Sequence, residues 1–242
     1  MKTHDPKTVE EIVEEQALSW EHRKRYPEQY PHRPLIAISR QSGTIARTVA
    51  EELAKRNNMS LFDETLIEEV AKQAHVNERM VRTLDERESN FIQTMLYMVE
   101  DSHHLLSDDY FKALVQVITT IERHGNAIIL GRGATYLFRQ HEDYARNLSV
   151  RIVAPLQERI NRVSEERDLT RKEAEERIRN RDDGRKGFLR RYYSADERDL
   201  DNFDLVINNA FFDVNAAVEL IETAYAHKSS LFPDKKAGWK TE

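Results

Sequence analysis

Residues 35–53, LIAISRQSGTIARTVAEEL, are the stretch of sequence that decides the fold. The apolar run 35–38 is typical of a strand that is buried on both faces of a parallel sheet. A polar turn containing Gly43 follows, and apolar residues then recur at helical spacing from Ile45 to Leu53. A strand, turn and helix in this order direct backbone N–H groups and the positive end of a helix dipole to one point, as phosphate-binding sites do. We therefore predict a phosphate-binding element here.

The composition of the chain excludes several classes of protein. Its 242 residues, 39% hydrophobic and 33% charged, are typical of a globular protein with long charged helices. A net charge of −6 argues against a surface built as a whole for nucleic acid. The chain has no cysteine, which excludes disulfides, thiolate metal sites and a cysteine nucleophile. Because we find neither a secretory signal pattern nor a run of roughly 20 apolar residues, we predict a cytoplasmic protein without a membrane partner.

Four further apolar runs predict strands in addition to the one at 35–38. They lie at residues 60–62, 127–130, 148–153 and 204–207. Helical patterns separate all five runs. Short strands that alternate with helices predict an α/β fold in which a five-stranded parallel sheet has helices on both faces.

The sequence outside this pattern predicts an arm and a tail. An amphipathic helix at residues 6–25 precedes a linker that Pro27, Pro31 and Pro34 make extended. We expect this helix to pack on the main domain or on a partner subunit, and the second arrangement would give a homodimer. The predicted parts are the arm and linker at 1–34, one domain at 35–226 with a helical insertion at about 64–123, and a mobile tail at 227–242.

Two polar residues follow predicted strands, where α/β sheets bind ligands. Asp63 follows the second strand, and it suits a ligand contact as well as the simple capping of the next helix. Arg132 follows the third strand between Gly131 and Gly133, and its guanidinium could bind a phosphate through two hydrogen bonds. The alternative for Arg132 is a surface position in a turn, and we favour phosphate binding because of the strand end and the flanking glycines.

The most basic part of the chain lies at residues 167–191. Such a run is usually a solvated helix face. Its last part, 185–191, has no acidic residue, and Gly184 and Gly187 interrupt the cations. This pattern favours a mobile flap that could close over an anion.

At this point the motifs resemble a known family. From about residue 35 to about 221, the chain resembles the cytidylate-kinase-like family of P-loop nucleoside monophosphate kinases. The motifs are ISRQSG followed by RTVAEELAKR, then LFDETLIEEVA, AIILGRGATYL, APLQERINRV and the basic stretch through RRYY to FDLVINNA. Their order and spacing, rather than any single motif, carry the resemblance. It implies a P-loop sheet, a helical monophosphate-binding insertion, and an arginine-rich lid at about 165–200.

The resemblance also implies an activity and a set of site residues. The implied reaction transfers the γ-phosphoryl group of ATP to a nucleoside monophosphate, CMP or dCMP, with Mg²⁺. The implied ATP- and phosphate-binding residues are Arg40, Gly43, Thr44, Arg47 and Thr48, with Thr48 as the metal contact. The implied acceptor-binding residues are Asp63, Arg132 and Asp183. The implied catalytic residues of the lid are Arg181, Arg185 and Lys186, whose cations would meet the transferred phosphoryl group.

The loop departs from the family pattern at Ile45 and Ala46. Family members have GSGG where this chain has Gly43-Thr44-Ile45-Ala46. We expect Ile45 to resist a positive φ and to crowd a phosphate, and Arg40 or Arg47 to supply the missing positive charge. Two hypotheses follow: an active kinase, or a catalytically impaired nucleotide-binding protein with a regulatory role. A third, nucleic-acid binding by residues 185–191, is disfavoured by the acidic net charge and the few interleaved aromatic residues.

Overall fold

The structure is a computed structural model that describes residues 8–26, 34–84, 93, 109–139 and 147–231. Its helices and strands in chain order are α1 (Val9–Arg25), β1 (Leu35–Arg40), α2 (Ala46–Arg56), β2 (Ser60–Asp63), α3 (Glu64–Lys72), α4 (Ala74–Val81), α5 (Asp109–His124), β3 (Ala127–Leu130), α6 (Ala134–Phe138), β4 (Asn147–Val153), α7 (Leu156–Arg167), α8 (Arg171–Tyr193), a short 3₁₀ turn (Leu200–Asn202), β5 (Leu205–Asn208) and α9 (Val214–Leu231). Within the predicted insertion at about 64–123, residues 85–92 and 94–108 lie outside the described residues.

The strands form the predicted five-stranded sheet, in the order β2-β3-β1-β4-β5. β1 pairs in parallel with β3 and with β4, and β4 pairs in parallel with β5. Residues 127–130 of β3 are all buried, as the continuous apolar run predicts. Because paired strands run in the same direction, the ends of β3, β1, β4 and β5 meet at one edge, and the loops that follow them can form a single site.

The chain divides into two compact units. One contains Met1–Arg33 and Phe62–Gly125, and the other contains Pro34–Leu61 and Asn126–Glu242. In the first unit, α1 packs on α3 and α4. Its Trp20 is 1% exposed and stacks on His124 with ring centres 4.1 Å apart. The N-terminal helix therefore belongs to the helical unit, and the homodimer through it stays a prediction.

Two segments differ from what the sequence predicts. The basic stretch, predicted as a flap interrupted by glycines, is part of the continuous 23-residue helix α8. The helix forms because Ala174 and Ile178 pack on Ile160 and Val163 of α7, which outweighs the low helix propensity of two glycines. Its mobility stays a prediction.

The second difference concerns the start of the tail. The sequence predicts a mobile tail from residue 227, whereas α9 continues to Leu231; the mobility of the tail stays a prediction. Lys228 on its last turn lies 2.7 Å from the carboxylate of Asp204, with side chains only 15% and 22% exposed. This half-buried pair ties the end of α9 to the residue before β5, and a pattern search for apolar residues does not detect it.

No helix within the described ranges is both long enough and apolar enough to cross a membrane.

Candidate phosphate-binding site

The loop between β1 and α2 is fixed at its base by Gln41. The Gln41 N–H donates to the carbonyl of Ile152 at 3.1 Å, and its Oε1 accepts from the N–H of Ala154 at 3.0 Å. The hydroxyl of Thr44 donates back to the Gln41 carbonyl at 2.8 Å. Gln41 thus joins the ends of β1 and β4, and the predicted phosphate contact Thr44 uses its hydroxyl to shape the loop.

Gly43 provides the positive φ that the turn requires, at 81°. A Cβ atom at this position would lie 3.0 Å from both the Arg159 carbonyl oxygen and the Val163 Cγ2 atom, so any other residue would have to push α7 slightly away in addition to adopting a strained φ. Ile45 has a φ of −75° and a ψ of 6°, so it does not take the positive φ that a β-branched residue resists. Its side chain is 6% exposed and belongs to the apolar core.

The expectation that Ile45 must resist a positive φ is therefore wrong. The loop takes its left-handed residue two positions earlier, at Gly43, and the Ile45 side chain packs in the core.

This placement predicts the outcome of Ile45→Gly. The variant should lose about 3 kcal/mol of unfolding free energy, because it removes a buried side chain and loosens the backbone before α2. It should gain no nucleotide affinity. Urea unfolding and ATP titration measure both quantities. An increase of affinity after the substitution would show that the isoleucine does obstruct the loop.

The N-terminus of α2 lacks a cap. No side chain of the preceding residue Ile45 bonds to it, and its first turn contains no acidic residue. The first N–H groups of any α-helix have no partner within the helix, and they carry the positive end of its dipole. At this loop, Ser42 N–H donates to Asp182 Oδ1 at 2.8 Å, and Ile45 N–H makes a long bond of 3.4 Å to Asn209 Oδ1. The arrangement suits a bound anion.

Two of the predicted phosphate-binding residues lie on the exposed side of α2. Arg47 forms an ion pair with Glu51 one turn later, at 3.6 Å, and both side chains are about half exposed, at 53% and 54%. Thr48 is also exposed. The phosphate role of Arg47 and the metal role of Thr48 stay predictions.

Arg40 ends β1 beside the start of the turn after β3. A Cβ atom at Gly131 would overlap the guanidinium of Arg40, and Gly131 has a φ of 96°. The Gly131 N–H donates to the carbonyl of Ile38 at 3.0 Å, which continues the β1–β3 pairing. The positive φ is what requires a glycine here, and the Arg40 guanidinium lies against this glycine, which places the cation at the edge of the sheet.

Arg132 lies in the same turn and is held by α8. Its φ is 53°, and its carbonyl accepts a hydrogen bond of 3.0 Å from the hydroxyl of Tyr193. A Cβ atom at Gly133 would overlap the ring of Tyr193. The guanidinium carbon of Arg132 lies 5.5 Å from the centre of the Phe188 ring. Aromatic residues at the end of α8 therefore position the turn that carries Arg132.

Sequence reasoning missed a buried ion pair between α7 and α8. Arg159 Nη1 lies 2.7 Å from Asp182 Oδ2, and these side chains are 8% and 13% exposed. Arg159 also donates to the carbonyls of Ser42 at 3.0 Å and Ala154 at 3.1 Å. A signal was present: Arg159 lies four residues before Val163 and Asp182 lies four residues after Ile178, so each falls at helical spacing from an apolar residue of its own helix. A charge on such a face indicates a buried partner.

The predicted lid residues occupy different surroundings on α8. Arg185 Nη1 lies 3.6 Å from Asp182 Oδ1, and its side chain is 22% exposed. Lys186 lies 3.6 Å from the carboxylate of Asp183, which is 74% exposed. Arg181 is exposed, and together with Arg167 it lowers the pKa of Arg177 through like-charge repulsion. Of the three predicted catalytic cations, Arg185 is the one in an ion pair with a carboxylate that binds the loop.

Asp63 caps the helix that follows it. Its Oδ1 accepts the N–H groups of Thr65 at 3.0 Å and Leu66 at 2.9 Å. The capping interpretation is confirmed, and contact with an acceptor nucleotide stays a prediction.

The fold and loop together define a class of protein. A parallel sheet of this strand order, with a glycine-containing loop between its central strand β1 and helix α2, is the α/β fold of P-loop kinases. A sequence model of the cytidylate kinase-like family matches residues 35–210. The chain belongs to this family, which confirms the resemblance of its motifs.

The relatives it matches are cytidylate kinases. The enzyme of Saccharolobus islandicus strain L.S.2.15 is 35% identical over 98 residues, which are 40% of this chain and 50% of the relative. That of Methanococcus aeolicus is 26% identical over 109 residues, 45% of this chain and 61% of the relative. The chain thus spans about half the length of the curated relatives it matches. A solved structure of an uncharacterized protein from Eubacterium ventriosum has the same fold, with a TM-score of 0.61, 21% identity, and coverage of 81% of this chain and 99% of that one.

Proposed function

We propose that the protein transfers the γ-phosphoryl group of ATP to a nucleoside monophosphate, and that CMP or dCMP is the acceptor. The observation that carries the proposal is the uncapped N-terminus of α2 at the same sheet edge as Arg40 and Arg132. Phosphoryl transfer needs little covalent help from a protein, because positioning and charge neutralisation dominate it. Helix N–H groups and arginines supply both.

Each part of the site has a role in this proposal. The loop and the start of α2 hold the donor phosphates, with Gly43 shaping the turn and Arg40 beside it. Arg132 binds the phosphate of the acceptor. Arg185 lies 3.6 Å from Asp182, whose carboxylate accepts from the loop, so it is the α8 cation that would neutralise charge on the transferred group.

The same residues determine how the site could hold Mg²⁺. Within the described part of the chain, no three His, Cys, Asp or Glu side chains form a group that could hold a metal ion. The ion would rest mainly on the triphosphate, with the Thr48 hydroxyl as the proposed protein contact, and it would neutralise the β- and γ-phosphate oxygens.

A second candidate function has an observation in its favour. Ala46 stands where the general P-loop has lysine, and Asp182 already binds the loop N–H of Ser42. A nucleotide-binding regulatory protein with impaired catalysis would have these features.

One assay separates the two candidates. We expect purified protein with ATP and Mg²⁺ to form ADP in the presence of CMP or dCMP, and to form less with UMP, AMP or GMP. A coupled measurement of ADP across this panel checks the prediction, with a reaction lacking acceptor as the control for ATP hydrolysis. Saturable ATP binding without ADP formation on any acceptor would favour the regulatory protein and reject the kinase.

A further inference from the structure

The carboxylate of Asp182 occupies the loop that we assign to phosphate. Its Oδ1 accepts the backbone N–H of Ser42 at 2.8 Å, and its Oδ2 lies 2.7 Å from Arg159 Nη1. Arg185 Nη1 is 3.6 Å from Oδ1. A loop N–H group and two guanidinium groups around one anion form the usual surroundings of a bound phosphate oxygen.

The position of this carboxylate is fixed from both sides. Arg159 is held in place by the carbonyls of Ser42 and Ala154. On its own helix, Asp182 lies one turn after Ile178, which is 1% exposed and packs on α7. The carboxylate is therefore part of a built, half-enclosed contact, with its side chain only 13% exposed.

A carboxylate and a triphosphate compete for the same loop. Two anions at hydrogen-bond distance from the same N–H group repel strongly where water is largely excluded. Polyphosphate binding at Ser42 therefore requires the Asp182 carboxylate to leave, and α8, which carries it, to loosen from the loop.

We propose that Asp182 is an internal competing anion that holds α8 on the loop, so that ATP binds only after its displacement. The inference rests on the proposed function for the identity of the ligand as a nucleoside triphosphate. The apparent affinity of such a ligand is lowered by the fraction of molecules in which the loop is open.

The test replaces the carboxylate and keeps its shape. Asp182→Asn retains one oxygen that can accept from the Ser42 N–H, and its NH₂ group replaces the oxygen that faces Arg159, so the size of the side chain and the bond to the loop are kept while the charge is lost. We expect this variant to bind ATP and inorganic tripolyphosphate about tenfold more tightly than the wild-type protein, as expected when an open state populated at about one in ten becomes dominant. Isothermal titration of the full chain with each probe measures the change.

The matched control is Glu175→Gln. It removes one negative charge from the same helix, at a side chain that is 37% exposed and paired with Arg179. We expect no change in the affinity for either probe. Asp182→Ser, which is small and neutral, should also bind more tightly, and it replaces Asp182→Asn if that variant does not fold.

The possible outcomes separate this inference from the proposed function. Tighter binding by the Asp182 variants alone supports the inference, even if neither protein forms ADP. If the Asp182 variants bind the probes no more tightly than the wild-type protein and melt at a lower temperature, the contact is purely structural and the inference is overturned. Turnover by the wild-type protein would still support the proposed function in that case. Equal tightening by Glu175→Gln, or no binding of either probe by any variant, overturns it as well.

Discussion

Replacing Arg132 with alanine is expected to lower kcat/KM for the acceptor monophosphate by about 10²–10³-fold, the usual loss when one charged donor to a reacting phosphoryl group is removed. The proposed role of Arg132 is to hold the acceptor phosphate through two hydrogen bonds from its guanidinium. The affinity for ATP should stay unchanged, because the donor phosphates bind at the loop before α2. Initial rates over a range of acceptor concentrations, together with ATP titration, separate these effects.

Two further variants make the expectation specific. Arg132→Lys keeps the charge but loses the two-pronged geometry, so its rate should lie between those of wild-type protein and Arg132→Ala. Arg139→Ala removes an exposed arginine at the end of the nearby helix α6, which donates a 3.3 Å hydrogen bond to Asn202. Its rate should equal that of the wild-type protein. A rate for Arg132→Ala within a few-fold of wild type would exclude this arginine from acceptor binding.

The backbone around Arg132 should survive the substitution. The turn is held by the Arg132 carbonyl, which accepts from Tyr193, and by the close packing of Tyr193 on Gly133. One side-chain contact that the substitution removes is the one with Phe188, worth about 1 kcal/mol at a partly exposed site. A loss of activity with an unchanged melting temperature would therefore report on chemistry and not on folding.

The fold is predictable from the sequence because its strands are local apolar runs. Residues 127–130 read as a buried strand and form β3 with those bounds. The prediction for β1 ended at residue 38, yet Ser39 and Arg40 continue the pairing with β4. They extend the strand because the partner Arg151 donates to the Ser39 hydroxyl at 2.9 Å, a contact that only the register of two distant strands creates.

The position of a site residue can be predicted from the sequence where one segment of the chain determines it, and cannot be predicted where several segments determine it together. Position in the sequence indicates the placement of three site residues. Arg40 and Arg132 lie at strand ends, and Gly43 is the glycine of the turn after β1. Asp182 and Arg159 lie 23 residues apart on two helices, and their pairing depends on how the helices pack. The conformation of Ile45 likewise depends on which loop residue takes the positive φ, which the sequence leaves open.

The largest expected effect on stability comes from Glu197→Ala. Glu197 Oε2 lies 3.2 Å from Arg151 Nη2, and the two side chains are 7% and 4% exposed. Arg151 also lies over the ring of Phe203, with its guanidinium carbon 5.4 Å from the ring centre. Removing the carboxylate leaves a buried cation without its counterion, and we expect the unfolding free energy to fall by about 3–5 kcal/mol. Urea unfolding followed by circular dichroism measures this loss.

The physical cause can be separated from the loss of side-chain contacts. In the double variant Arg151→Met and Glu197→Leu, both charges are replaced by apolar groups of similar size, and the unfolding free energy should recover to within about 1 kcal/mol of wild type or exceed it. Glu78→Ala breaks an ion pair with Arg82 whose side chains are 62% and 76% exposed, and it should cost less than about 1 kcal/mol. A Glu197→Ala protein as stable as Glu78→Ala would mean that water reaches Arg151. If the double variant is no more stable than Glu197→Ala, then Glu197 stabilises the turn before β5 by packing. Replacing Arg151 can restore the unfolding free energy only where the loss came from a buried charge without its counterion.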